Sequence, residues 1–215
     1  MTGCWPFLAV EGLSGTGKTV LARELARLLD GVYLATPIEP YASIRSEVGA
    51  VATPAERYSF YLTAVAAAGL RIAKLRETQP VICDRWVPTT QLWHQILGVE
   101  IHRDLRYLML PEPTAVLLVT CREDVRQAGL DLRGRDANDL AEGLNGREQR
   151  LLADYRSLDL LEIDATDPDV RVIGKRALFL AGNAIAHEQR APRDARTDPP
   201  LESELILVGD SRLSE

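Results

Sequence analysis

Two things are missing from this chain: long hydrophobic runs and an excess of positive charge. No apolar stretch in its 215 residues approaches the ~20 needed to cross a bilayer, so no membrane span is expected. The 31 acidic residues outnumber the 25 Lys and Arg, giving a net charge of −6. That balance argues against a general nucleic-acid binder, which would present a basic face. Cysteine is scarce. Cys4, Cys83 and Cys121 are far apart, odd in number and without metal-ligand spacing, so neither a disulfide framework nor a zinc set is expected. Cys83 and Cys121 fall in apolar, strand-like runs and read as small buried hydrophobes. This usage suits a reducing cytoplasm. The opening MTGCWPFLAV lacks a basic leader region and a cleavage site, and reads as a strand.

Hydrophobic residues, at 46%, are sufficient for one α/β domain core. Short apolar runs end at Val10, Thr36, Asp84, Thr120 and Thr166. Helical periods lie between them: TVLARELARLLD, a segment from Pro40 to Ala50, a long run from Ala55 to Glu77, WVPTTQLWHQILG, REDVRQAGL and REQRLLADYRSL. PDVRVIGKRALFLAGNAIAHE closes the series. Strands alternating with helices predict a five-stranded parallel sheet covered on both faces. DLRGRDANDLAEG reads as a polar break. The domain is expected over 1–188. The polar, proline-bearing segment 189–215 is expected to be a flexible tail, with ELILVG inside it as a candidate edge strand.

EGLSGTGKT at 11–19 fits G-x-x-x-x-G-K-[ST], with a strand before it and a helix after it. A loop that wraps a phosphate must aim successive backbone N–H groups inward, and side chains would obstruct that. The helix that follows adds the positive end of its dipole. Gly12, Ser14, Gly15, Thr16, Gly17, Lys18, Thr19 and Val20 are therefore the candidate ATP-binding set, with Lys18 directed to the β- and γ-phosphates. VICDRW ends a buried strand at Asp84, and ligands in parallel sheets sit at that rim. Thr19 and Asp84 are the candidate Mg²⁺ ligands, and Asp84 doubles as a helix N-cap candidate. Arg85 would direct a permanent cation at the phosphates.

Four segments in order, EGLSGTGKT, TPIEPYASIRSEV, VICDRW and LRGRD, resemble the thymidylate kinase and deoxynucleoside kinase superfamily of P-loop phosphotransferases. IDATDPDV resembles that group's adenine-bordering segment, and the likeness spans roughly residues 5–188. The resemblance implies a P-loop kinase fold, ATP with Mg²⁺, and a small-molecule acceptor. It implies that Glu39 accepts the proton of an attacking hydroxyl. It also implies an arginine-bearing lid near 126–141, in which Arg126 helps hold nucleotide and Arg133 and Arg135 close over the transferred group, with Gly129 and Gly134 giving flexibility. Dimers are common in the superfamily, and the apolar helix around Ala64 to Ala68 is a candidate interface.

The acceptor side departs from the pattern. Thymidylate kinases carry an Asp-Arg pair before the third strand, where this chain has Val65 near the arginine position; Arg71 lies two turns on. Deoxynucleoside kinases carry a base-reading glutamine there, and none is present. Tyr58, Phe60 and Tyr61 remain to stack on a ring or to pack in the core. Thr89, Thr90 and Trp93 are candidate acceptor contacts, whereas His94 and His102 read as surface or satisfied core histidines. The expectation is transfer of the γ-phosphoryl group to a nucleoside, nucleotide or related acceptor. Two alternatives stay open: a kinase for a secondary-metabolite hydroxyl, and a non-catalytic NTP-binding paralogue.

Overall fold

The computed structural model describes residues 4–101, 105 and 108–190. His102 and most of the proposed tail lie outside them. The strands are β1 (Phe7–Glu11), β2 (Val32–Ala35), β3 (Val81–Asp84), β4 (Ala115–Thr120) and β5 (Leu161–Asp164). They form one sheet in the order β2-β3-β1-β4-β5, and each neighbouring pair is parallel. The helices are α1 (Lys18–Leu28), α2 (Tyr41–Val51), α3 (Pro54–Leu75), α4 (Val87–Ile96), α5 (Glu123–Arg133), α6 (Ala137–Glu142), α7 (Arg147–Arg156) and α8 (Val170–Arg190). None of the described helices is long and apolar enough to cross a membrane.

β1 is buried along its whole length, and its alternation feeds both layers. Phe7 and Ala9 join Val65, Ala68 and Ile72 of α3 on one face. Val10 joins Leu21, Ala22 and Leu25 of α1 and Ile173 and Ala177 of α8 on the other. Full burial of one such leucine contributes roughly 2 kcal/mol. Helix α3 starts where Thr53 accepts from the Glu56 N–H at 3.3 Å while the Glu56 carboxylate accepts from the Thr53 N–H at 2.7 Å.

β1 lies at the point where the chain turns from one half of the sheet to the other, with β3 on one side and β4 on the other. That leaves a crevice at its carboxyl end. Register puts Asp84 level with Val10 and with Ala35, on the same rim as the glycine loop.

Two expectations change. The polar stretch 131–143 is not a break, because α5 continues to Arg133 and α6 follows after three residues. Asp136 caps α6 by accepting from the Asn138 and Asp139 N–H groups at 2.8 and 2.9 Å, and Asp139 returns a bond to the Asp136 N–H at 2.9 Å. Two aspartates in that reciprocal arrangement make a helix start out of a sequence that looks like loop. Cys121, for its part, is only half-buried, whereas Cys83 is buried.

Candidate active site at the carboxyl rim of the sheet

The carboxyl ends of β1, β2 and β3 open into a cleft of about 630 Å³. The glycine loop forms one end. Gly12 has φ +136° and Gly15 φ +84°, conformations that L side chains rarely adopt. A Cβ on Gly12 would also run into the Val119 carbonyl oxygen, and one on Gly15 would lie 2.7 Å from Leu130 Cγ. Lys18, 5% exposed, donates from Nζ to the Leu13 carbonyl. Burial, and then the Arg85 cation, push its ammonium down to about 7, against the pull of Asp84, Glu142 and Glu11. An anion laid in the loop would reverse that depression.

Asp84 Oδ2 accepts from the Thr19 hydroxyl at 2.5 Å and from the Tyr33 hydroxyl at 3.2 Å. Its other oxygen is buried without a hydrogen-bond partner. No cluster of three potential metal-ligating His, Cys, Asp or Glu side chains exists among the described residues. Magnesium does not require one, because it takes one or two protein oxygens and completes its shell with phosphate and water. The uncommitted Asp84 oxygen beside the Thr19 hydroxyl fits that ion.

Arg85 sits at φ +70°, a strained conformation for a residue with a side chain. Its N–H donates to Val10 O at 3.0 Å and its carbonyl accepts from the Thr36 hydroxyl at 2.8 Å, which hold it there. The guanidinium lines the cleft and feels Tyr155, Asp84, Glu11 and Glu142, which keep it charged despite burial. Behind it Glu11, fully buried, accepts from the Trp86 N–H at 2.7 Å, the Thr89 hydroxyl and the Tyr155 hydroxyl at 3.3 Å. Burial raises the Glu11 pKa, and the Thr89 and Trp86 donors with Arg85 oppose the rise.

The proposed lid residues separate into different positions. Arg126 is 2% exposed and absent from the cleft wall. It donates to the Ser14 carbonyl at 3.1 Å, pairs with Glu123 at 2.9 Å and with Glu148, and lies 3.7 Å from Glu142. Glu142 in turn accepts from the Ser14 N–H at 2.9 Å. Arg126 thus braces the loop from behind. Arg133 lines the cleft and pairs with Asp139 at 2.7 Å. Arg135 pairs with Asp131 at 2.8 Å and is not part of the wall. Gly129 lies inside α5, with Gly134 just after it.

On the acceptor side Tyr61, Thr89 and Trp93 line the cleft; Tyr58 is buried behind it. The Thr89 hydroxyl is engaged by Glu11 and Tyr155. Glu39 is exposed, absent from the wall, and accepts from the Ser43 hydroxyl at 2.5 Å at the start of α2. Val20 and Ser14 line the wall, whereas the Thr16 hydroxyl turns back to Leu13 O at 2.9 Å. The sequence reading missed Arg45 and Arg57, two cations that reach the wall from α2 and α3, and the lid carboxylate Glu142. Glu11 had a readable signal, since a charge ending a buried strand must find partners. Arg45 and Arg57 had none, being single charges on polar helix turns.

No protein-family model matches the chain. A probable thymidylate kinase of Methanococcus aeolicus is 29% identical over 147 residues, which is 63% of this chain and 70% of the relative. The thymidylate kinase structure from Candida albicans superposes with a TM-score of 0.65 at 14% identity, over 84% of this chain and 92% of the other. That from Ehrlichia chaffeensis gives 0.57 at 15%, over 84% and 99%. By sequence this chain is similar to a thymidylate kinase, and its five-stranded parallel α/β fold matches that of thymidylate kinase structures, a P-loop NTPase fold.

Proposed function

We propose that this protein transfers the γ-phosphoryl group of ATP to a nucleotide or nucleotide-like acceptor. The observation that carries the reading is the set of groups that line a single shared cleft. The glycine loop, Lys18, Thr19 and Asp84 line it from the strand rim, and Arg45, Arg57, Tyr61 and Trp93 line it from α2, α3 and α4, with Arg85 among them. The loop amides and Lys18 would hold the β- and γ-phosphates. Thr19 and Asp84 would hold magnesium, which when bound supplies neutralisation of charge on the phosphate oxygens. Arg85 and Arg133 would stabilise charge on the group in transit, where preorganised cations in a dry site act most strongly. Arg45, Arg57 and Arg85 on the wall support an acceptor that carries its own anion. A phosphate monoester, with a second pKa near ~6, is already largely ionised at neutral pH and needs no general base. The position of Glu39 outside the wall agrees with that. The homodimer interface expected around Ala64 to Ala68 finds no support, because Ala64, Val65 and Ala68 are buried in the chain's own core.

A screen of nucleosides, nucleoside monophosphates and hydroxylated metabolites with labelled ATP tests the reading. Transfer to at least one monophosphate is expected. Transfer only to unphosphorylated hydroxyls would overturn the acceptor assignment, and Mg²⁺-dependent ATP binding with no transfer to any acceptor would overturn the kinase reading.

A further inference from the structure

His94 is neither a surface histidine nor a satisfied core one. The residue is 1% exposed and yet belongs to the cleft wall. Its Nδ1 lies 2.7 Å from the Thr90 carbonyl oxygen. A carbonyl only accepts, so Nδ1 carries the proton and Nε2 presents a bare lone pair. Nε2 is buried and has no hydrogen-bond partner. Burial pushes the imidazolium down to about 4, and the Arg57 cation adds to that, so the ring is neutral at physiological pH. A buried acceptor left unmet costs roughly 1–3 kcal/mol, and a phenylalanine would fill the same space without that loss. The ring is also fixed in place. Tyr58 and Tyr61 flank it with centroids at 5.4 and 5.6 Å, tilted by 50° and 47°.

A second unmet atom lies in the same wall. Arg57 Nε, a donor, is buried without a partner. The Arg57 guanidinium meets the described lid only through a 3.5 Å contact from Nη2 to Asn138 Oδ1, at the outer limit of a hydrogen bond. The residues that carry the idle acceptor and the idle donor, His94 and Arg57, line the cleft together with Tyr61.

We propose that His94 and Arg57 determine acceptor specificity, His94 Nε2 receiving an N–H from the acceptor's ring and Arg57 donating to an adjacent carbonyl oxygen. The ligand class is a planar heterocycle with a lactam edge. This rests on reading the α3–α4 end of the cleft as the acceptor site. It assigns the edge reading to positions other than the Val65 site, where the chain has no polar group.

The test is binding by titration calorimetry to the full chain. The probes are thymidine monophosphate and guanosine monophosphate, each paired with its counterpart methylated on the lactam nitrogen. At least one parent should bind, and its methylated partner about tenfold to a hundredfold more weakly, the size of one buried hydrogen bond. His94→Phe keeps the ring stack and should abolish that difference, and Arg57→Met should weaken the parent by about tenfold. The wild-type protein gives a readout independent of any variant's folding. On ¹⁵N-histidine labelling, the Nε2 resonance of His94 should move when the parent is added and stay in place with the methylated compound. Binding of neither parent, equal binding of parent and methylated compound, or discrimination surviving in His94→Phe each overturns the proposal. Discriminating binding without phosphoryl transfer would remove the kinase reading and leave this assignment standing; transfer without discrimination would do the opposite.

Discussion

The two ends of the cleft differ in how completely their polar groups are satisfied. At the glycine-loop end the buried side chains and the backbone of Ser14 are committed: the Ser14 N–H to Glu142, its carbonyl to Arg126, the Thr16 hydroxyl and Lys18 Nζ to Leu13 O. Asp84 Oδ1, buried without a partner, is the exception. At the acceptor end the idle groups are His94 Nε2 and Arg57 Nε, and they belong to side chains on two separate helices. A site built from backbone is shaped by the chain's own bonding and accepts any ligand with the right charge. One built from side chains stays partly unsatisfied until its particular ligand arrives.

The comparison breaks most visibly at Lys18. Lys18→Met should leave the fold intact by circular dichroism and lower turnover by about a thousandfold or more, since the principal cation on the transferred phosphates is gone. Turnover within tenfold of wild type would remove Lys18 from the chemistry. Arg126→Met tests whether the loop end is braced from behind. It removes the buried cation shared by Glu123, Glu148 and Glu142 and should destabilise the protein by about 3 kcal/mol in urea unfolding, with nucleotide affinity falling as a consequence. Loss of affinity at unchanged stability would show that Arg126 touches nucleotide directly.

The acceptor end is tested by acid. The His94 pKa falls from its ordinary 6.5 to about 4 on folding, so the unfolded chain binds more protons across that window. Stability present above pH 6.5 should therefore be lost as the pH drops toward 4, by on the order of 2 kcal/mol from this residue. His94→Phe should flatten that part of the pH profile of the melting temperature; an unchanged slope would mean the ring is not desolvated as described. The smallest effect is expected at Glu39. Glu39→Gln should change kcat by less than about threefold, because the carboxylate is engaged by Ser43 at the start of α2, outside the cleft wall. A drop of about a hundredfold or more would restore it as the general base.

Alternation of short apolar runs with helical periods was enough to predict the five parallel strands, because buried strands and amphipathic helices write their periods locally. The glycine loop was legible for the same reason: Gly12 and Gly15 are required by backbone conformations set within nine residues. Asp84 was placed correctly on the rim because a strand's carboxyl end is known once the strand is. The lid was harder. Arg126, Arg133 and Arg135 look alike in sequence, and only the packing of α5 and α6 against the loop turns one behind it, one into the cleft and one away. Asp136 and Asp139 made a helix where composition suggested a break.

What the sequence alone determined, then, is the phosphate end of this protein, since backbone conformation and strand order are consequences of neighbouring residues. What the tertiary structure decided is the acceptor end. Arg45, Arg57, Tyr61 and His94 come from three helices, and whether they meet, point inward or remain unpaired depends on how those helices pack. No local pattern encodes a contact between residues that far apart in the chain.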